Sequence, residues 1–265
     1  MGLSNGVNLR EVKNMEGFNL TIKILGVILF VALVLILIRF LSPKTEQVIE
    51  KEIEKELINQ TEIILPLPNK ASKTSIEEAL LKRRSVREYK DQPLSLKEVS
   101  QILWAAQGIT APEWNGRTAP SAGALYPLEV YLVVRKAEGI RPGVYQYLPK
   151  EHKITKILED DISAKLARAA LGQSPIADAA CNLVFSADFS KTISKYGERG
   201  IQYVYMEAGH SAQNVYLQVQ SLGLGTVVIG AFSDKEVKKL LNMPEKETPL
   251  YIMPVGKINL SKTKR

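Results

Sequence analysis

From Ile24 to Ile38 the chain reads ILGVILFVALVLILI, fifteen residues without a charge. A helix built from such a segment has no polar face to turn to water, so protein or lipid must enclose it on every side. With Leu20–Lys23 and Arg39–Leu41 added it is long enough to cross a bilayer, and Lys23 and Arg39 can reach the two interfaces. A cleaved signal peptide is the competing reading, but the polar segment ahead of the run is long and no small-residue cleavage site directly follows it. The sequence therefore predicts a polar tail over 1–19 and one transmembrane helix over 20–41, with the lipid bilayer as its partner. Arg10, Lys13 and Lys23 on one side nearly balance Arg39, Lys44, Lys51 and Lys55 on the other. Flanking charge thus selects no orientation, and the side of the membrane that receives the rest of the chain stays open.

The following segment, 42–70, reads as a stalk: the Glu/Lys-rich stretch TEQVIEKEIEKELINQ has the alternating charge of a solvated helix, and Pro66 and Pro68 stop it. A globular domain over 71–260 and a short basic tail over 261–265 complete the chain. The formal charge of +7 falls beyond residue 70, on the domain and its basic tail, because residues 1–70 are balanced. No compact Lys/Arg tract is present, which argues against nucleic acid and leaves an anionic cofactor or substrate as the partner that the charge attracts. Cys181 is the only cysteine, and His152 and His210 are the only histidines. An internal disulfide and a cysteine- or histidine-rich metal centre are thereby excluded, and Cys181, among Ala180, Leu183 and Val184, reads as a buried small side chain.

Helical and strand patterns intermingle without a regular βαβ rhythm, which predicts an α+β domain. Three Ser-x-x-Glu capping patterns, at Ser75–Glu78, Ser95–Glu98 and Ser233–Glu236, head three helices. A further helix is expected around Ile162–Leu171. The longest should run over about 200–222, with Ile201, Val204, Tyr205, Ala208, Ala212, Val215, Tyr216 and Val219 on one face and Gly223 at its end. Strands are expected at Glu129–Val134, Asn182–Ala187, in TVVIGAF and in LYIMPV.

Three stretches can carry chemistry. Arg83, Arg84, Ser85 and Arg87 put three guanidinium groups and a hydroxyl where a helix gives way to a loop, a natural phosphate site; the same cluster also reads as a solvated basic surface. PSAGALYP, Pro120–Pro127, lets backbone pass close to a flat ligand, with Tyr126 at the rim; alone it is a turn before a strand. The run from Gly223 to Phe232 brackets a short apolar strand with glycines and lacks the spacing of a Rossmann fingerprint.

In this order, and together with LKEVSQILWAAQGIT, RTAPSAGALYPLEVYLVV, YGERGIQYVYMEAGHSAQNVYLQ, GLGTVVIGAF and LYIMPVGK, these stretches resemble the nitroreductase family over about residues 75–257, most closely its SagB-type dehydrogenase branch, which includes azoline oxidases. The resemblance implies a nitroreductase-like fold, a central mostly antiparallel sheet with surrounding helices, in a domain-swapped type of homodimer with FMN at the subunit interface. It places Arg83, Arg84 and Ser85 at the FMN phosphate, with Lys257 completing that site, and Arg87 at the flavin N1/O2 edge, where positive charge stabilises the reduced ring. Ser121, Ala122 and Gly123 would face the ring, and the backbone near Ile229 and Gly230 its N5/O4 edge. Ala124 stands where many nitroreductases carry an asparagine, which favours the dehydrogenase branch. There a Lys-Tyr pair deprotonates substrate, and Lys195-Tyr196 matches it; an ammonium beside a phenol stabilises the phenolate while hydride leaves to flavin N5. A polar loop before a helix is the plainer reading of that pair.

The residues and the resemblance together predict a membrane-anchored FMN-dependent oxidoreductase moving a hydride between flavin N5 and a small organic or peptide-like substrate. Alternatives are an NAD(P)H-dependent nitro or quinone reductase and a non-catalytic flavin-binding or partner-docking module. Glu207 and His210, at i and i+3, are spaced to hydrogen-bond each other, with a packing role for the histidine; Gly209 permits close helix approach.

Overall fold

A computed structural model describes residues 61–259. The predicted tail and transmembrane segment, most of the predicted stalk, and the basic tail lie outside the described residues. Among the described residues no helix is long and apolar enough to cross a membrane.

The domain is built on a seven-stranded sheet whose neighbours all pair antiparallel, in the order β1-β6-β5-β4-β7-β9-β8. The strands are β1 (Glu62–Ile64), β4 (Leu128–Val134), β5 (Gly143–Leu148), β6 (Lys153–Glu159), β7 (Cys181–Asp188), β8 (Leu224–Thr226) and β9 (Glu247–Lys257). A two-stranded hairpin, β2 (Ile109–Ala111) and β3 (Gly116–Arg117), stands apart. Strand β1 falls inside the segment read as stalk, and it is joined to the sheet through Ile63↔Ile154. Successive strand side chains point to opposite faces, and the middle of the sheet is apolar on both. Val130, Leu132, Val134, Leu183, Phe185 and Met253 go to one core, while Tyr131, Val133, Val184 and Ile252 go to the other. Each such side chain contributes roughly 1.5–3 kcal/mol when fully buried.

Helices cover the two faces. On the first lie α2 (Leu96–Gln107), through Val99, Ile102, Leu103 and Ala106, and α6 (Arg199–Ser221), through Ala212, Val215, Tyr216 and Val219. On the second lie α3 (Ser163–Ala169), α4 (Ser174–Asp178) and α7 (Asp234–Leu240). Helix α1 (Ile76–Lys82) packs on α6, and α5 (Ser190–Tyr196) precedes it. All three predicted capping serines accept from the backbone N–H three residues on, and Ser95–Glu98 closes the full reciprocal box.

Two readings need correction. TVVIGAF is not a strand along its length: β8 ends at Thr226, and Ile229 touches β9 only through an isolated bridge to Ile252. In that register Val227 faces Pro254, which has no N–H to give to the ladder, while the Val228 N–H points away from β9 and donates to the Tyr216 hydroxyl at 2.8 Å. On α6, Val204 and Ala208 are buried as expected, but Ile201 and Tyr205 are 37% and 55% exposed, in a stripe continued by Met206 and Gly209.

Candidate functional site

The candidate residues fall into two clusters. The first forms where α1 ends. Arg83 is the C-cap of α1, its N–H donating to the Ala79 carbonyl at 2.9 Å, and its guanidinium lies 5.1 Å from the centre of the Tyr216 ring. The Ser85 hydroxyl is 3.1 Å from the Tyr216 hydroxyl. Tyr216 therefore ties together Arg83, Ser85 and the backbone of Val228. The chain beyond Ser85 lies flat on β8: Val86 N–H donates to the Thr226 carbonyl at 2.9 Å, and a methyl group on Gly225 would come within 2.6 Å of Val86. Only a glycine lets the segment approach so closely.

The other basic candidates are disposed differently. Arg84 turns back onto the carbonyls of Leu81 and Arg83, at 3.0 and 2.7 Å. Arg87 is exposed and lines a separate depression with Asp91, Arg135 and Asp178. Lys257 is ion-paired with Glu98 at the head of α2. Burial alone would raise the Glu98 carboxyl, but hydrogen bonds from Lys257 and Ser95 outweigh it and hold the group below the usual carboxylate range. Ile229 has both backbone groups engaged by Ile252, at 2.9 Å each way. Gly230 is exposed, and its N–H makes no hydrogen bond within the described residues, so of the two it alone has a donor to offer.

The second cluster surrounds the Pro120–Pro127 turn. Ser121 accepts the Tyr126 N–H at 2.9 Å, and Gly123, Ala124 and Tyr126 all have positive φ, of 61°, 53° and 47°. Left-handed backbone at two non-glycine residues separated only by Leu125 is unusual and is held by surrounding contacts. Tyr126 is one of them: it is buried beneath the Arg117 guanidinium, 4.6 Å from its ring centre, where the sequence placed it at a rim. Lys195 and Tyr196 end α5, a helix where the plainer reading had a loop, and both reach the turn. A methyl group on Gly123 would stand 2.7 Å from the Tyr196 hydroxyl and 2.8 Å from Lys195 Nζ. The Tyr196 ring is fixed edge-on to Tyr203, with centroids 5.2 Å apart, and Lys195 Nζ lies 5.4 Å from the Tyr196 ring centre. The turn, an ammonium and a phenol thus converge on one exposed glycine.

Glu207 enters this cluster from α6. It is 2% exposed and does not pair with His210, which points outward. Burial pushes its carboxyl up to about 7, against the pull of a hydrogen bond from Ser121 and the charges of Arg117 and Lys191. Arg117 donates from Nη1 to Gln107 Oε1 at 2.9 Å. Glu207 and Tyr216 are nine residues apart on α6, about 14 Å along its axis and half a turn out of phase. The two clusters therefore lie on opposite sides of one helix. A groove of about 780 Å³ between residues 69–76, α2 and the end of α6 includes neither.

A model of the Nitroreductase family matches residues 80–257. The chain belongs to the nitroreductase family. As a member of it, the chain is a flavin-dependent oxidoreductase. Over 182 residues it is 52% identical to MJ1384 of Methanocaldococcus jannaschii, which carries the name of a nitroreductase, covering 69% of this chain and 90% of that protein. It is 29% identical to the microcin B17-processing protein McbC of Escherichia coli, covering 63% of each. Among solved structures, the nitroreductase fold recurs in a Ralstonia eutropha protein crystallised as a nitroreductase, with TM-score 0.67, 29% identity, and 76% of this chain and 90% of that one covered. It recurs as well in the E. coli microcin synthetase McbBCD solved with truncated pro-MccB17 bound, with TM-score 0.57, 27% identity, and 77% and 80% covered.

Proposed function

We propose that this nitroreductase-family chain is an FMN-dependent dehydrogenase of the SagB type, acting on a small organic or peptide-like substrate. The observation that carries the reading is the convergence of Lys195 Nζ and the Tyr196 hydroxyl on Gly123. A proton-accepting oxygen and a cation beside a turn open to a flat ligand are what removal of a substrate C–H or N–H proton requires. The likeness to McbC, a peptide-processing protein, points the same way.

The residues fit FMN. Arg83 and Ser85, set by Tyr216, would hold its phosphate, with Arg84 at the same end and Arg87 as a further cation. The unclaimed Gly230 N–H would meet a ring acceptor, and Ser121, Ala122 and Gly123 would lie against the ring face. Bound FMN supplies a carrier of two electrons. Lys257 would have to share its charge with Glu98, and Ile229 would contribute no backbone hydrogen bond without releasing Ile252. Because the clusters sit on opposite sides of α6, a complete site would take Arg83 from one chain and Gly123 from its twin, and the exposed stripe of Ile201, Tyr205, Met206 and Gly209 is the face such a homodimer would cover. The uncharged run over 20–41 would tether it to a bilayer, which protection of the domain from added protease in sealed vesicles would test.

The full chain, purified in detergent, should carry a flavin spectrum and lose it on Arg83→Ala. Lys195→Ala and Tyr196→Phe should keep the flavin but slow its reduction by a thiazoline-containing peptide. A chain that neither holds nor takes up FMN would refute the proposal. The 52% likeness to MJ1384 favours one second reading, an NAD(P)H-dependent nitro or quinone reductase; rapid bleaching of the flavin by NADH or NADPH, unaffected by Tyr196→Phe, would establish it instead.

A further inference from the structure

We propose that Glu207 is a positioning residue for the Lys195/Tyr196 pair, acting through Ser121 and Arg117 on the turn that carries Gly123. The inference rests on the reading of that pair as the site. Two buried polar atoms beneath the turn have no hydrogen-bond partner: Glu207 Oε1, an acceptor, and Arg117 Nε, a donor. Each residue senses the other's charge. They form a latent pair, complementary and unjoined. Both also bear on the turn, Glu207 by facing the Ser121 hydroxyl, which accepts the Tyr126 N–H, and Arg117 through its stacking on Tyr126 and its own N–H, which donates to the Tyr126 hydroxyl at 3.3 Å.

A neutral Glu207 leaves this arrangement at rest. An ionised one is a buried anion, and the group able to answer it is Arg117, whose movement toward Oε1 would take its guanidinium off the Tyr126 ring and reset the left-handed backbone between Gly123 and Tyr126. The other charges facing the carboxyl are few. Lys191 of α5 is already paired with Glu129 of β4 at 3.1 Å, α2 offers only Gln107, and His210, on Glu207's own helix, is exposed. Burial sets the carboxyl's midpoint near neutrality, so the change falls within the working range of an enzyme.

The full chain, labelled with ¹⁵N-glycine and free of flavin, tests this directly. Between about pH 5 and 9 the Gly123 amide signal should shift with one midpoint near neutrality and stay put in Glu207→Gln. Loaded with FMN and given a thiazoline-containing peptide, Glu207→Ala should lose about tenfold in kcat with KM unchanged, while Glu207→Gln should match the wild type below the midpoint and hold that rate above it. A Gly123 signal indifferent to pH, or one that titrates identically in Glu207→Gln, would overturn the proposal. Failure of the flavin reading would show separately, as a chain that takes up no FMN while the amide titration persists.

Discussion

Gly123→Ala probes the centre of the candidate site with the smallest group available. Gly123 has φ 61° and ψ 19°, and an L side chain held there costs about 1–2 kcal/mol. The new methyl would meet Tyr196 Oη at 2.7 Å and Lys195 Nζ at 2.8 Å, while ordinary contact begins at 3.4 Å, so both groups must retreat by roughly 0.6–0.7 Å. These atoms are the ends of flexible side chains, and moving them adds little to the stability cost. For a domain of this size 1–2 kcal/mol corresponds to a fall in Tm of about 2–8 °C. Catalysis responds more sharply, since a misplacement approaching 1 Å can cost about a hundredfold, and a loss of roughly ten- to a hundredfold is expected here. Thermal melts followed by circular dichroism and stopped-flow reduction of the bound flavin give the two numbers. Wild-type turnover in a variant of lowered Tm would refute the convergence of Lys195 and Tyr196 on this glycine. A Tm loss beyond about 15 °C would show instead that the turn is part of the folding core.

Two more changes address the rest of the site. Tyr216→Phe removes the acceptor of the Val228 N–H and the partner of Ser85; it should cost about 1–3 kcal/mol in a urea melt and release FMN more readily, and unchanged retention would detach Tyr216 from the phosphate cluster. Glu207 makes stability depend on pH. Its folded-state midpoint, about 7, is raised from 4.5 by burial, so the stability it contributes is complete below about pH 4.5 and is lost as pH rises through 7. On the order of 3 kcal/mol should therefore separate wild-type urea melts at pH 4.5 and pH 8 beyond the change seen in Glu207→Gln; parallel curves would remove the carboxyl from account.

Much of the fold was legible because its elements announce themselves locally. Strand β4 is an apolar run with three valines, β7 centres on the apolar Leu183–Phe185, and the capping serines sit three residues ahead of their glutamates. What the sequence hid depends on distant partners. The strand expected in TVVIGAF breaks at Val227, where Pro254 on the facing strand has no N–H to give, and Ile229 loses its free backbone to Ile252. Helix α5 has no apolar periodicity, so nothing in Ser190–Tyr196 separated it from a loop. Ile201 and Tyr205 fit the apolar period of α6 yet stay exposed, since the period does not say where the domain stops covering the helix. Spacing relates Glu207 to His210, whereas the useful signal is an acid between Val204 and Ser211 on the buried side. In the sequence Arg117 and Tyr216 are parts of motifs, and only the fold shows what each one holds.

The central place of β7 has a practical consequence. Its first residue, Cys181, pairs with Val134 on one side and Val255 on the other, is wholly buried, and carries the only thiol in the chain, pushed up to about 12 by burial. A water-soluble disulfide reagent can reach it only when the middle of the sheet parts. The speed at which this one atom is labelled, compared with the same cysteine in urea, therefore clocks how often the domain opens, with no introduced probe and no second thiol to confuse the signal.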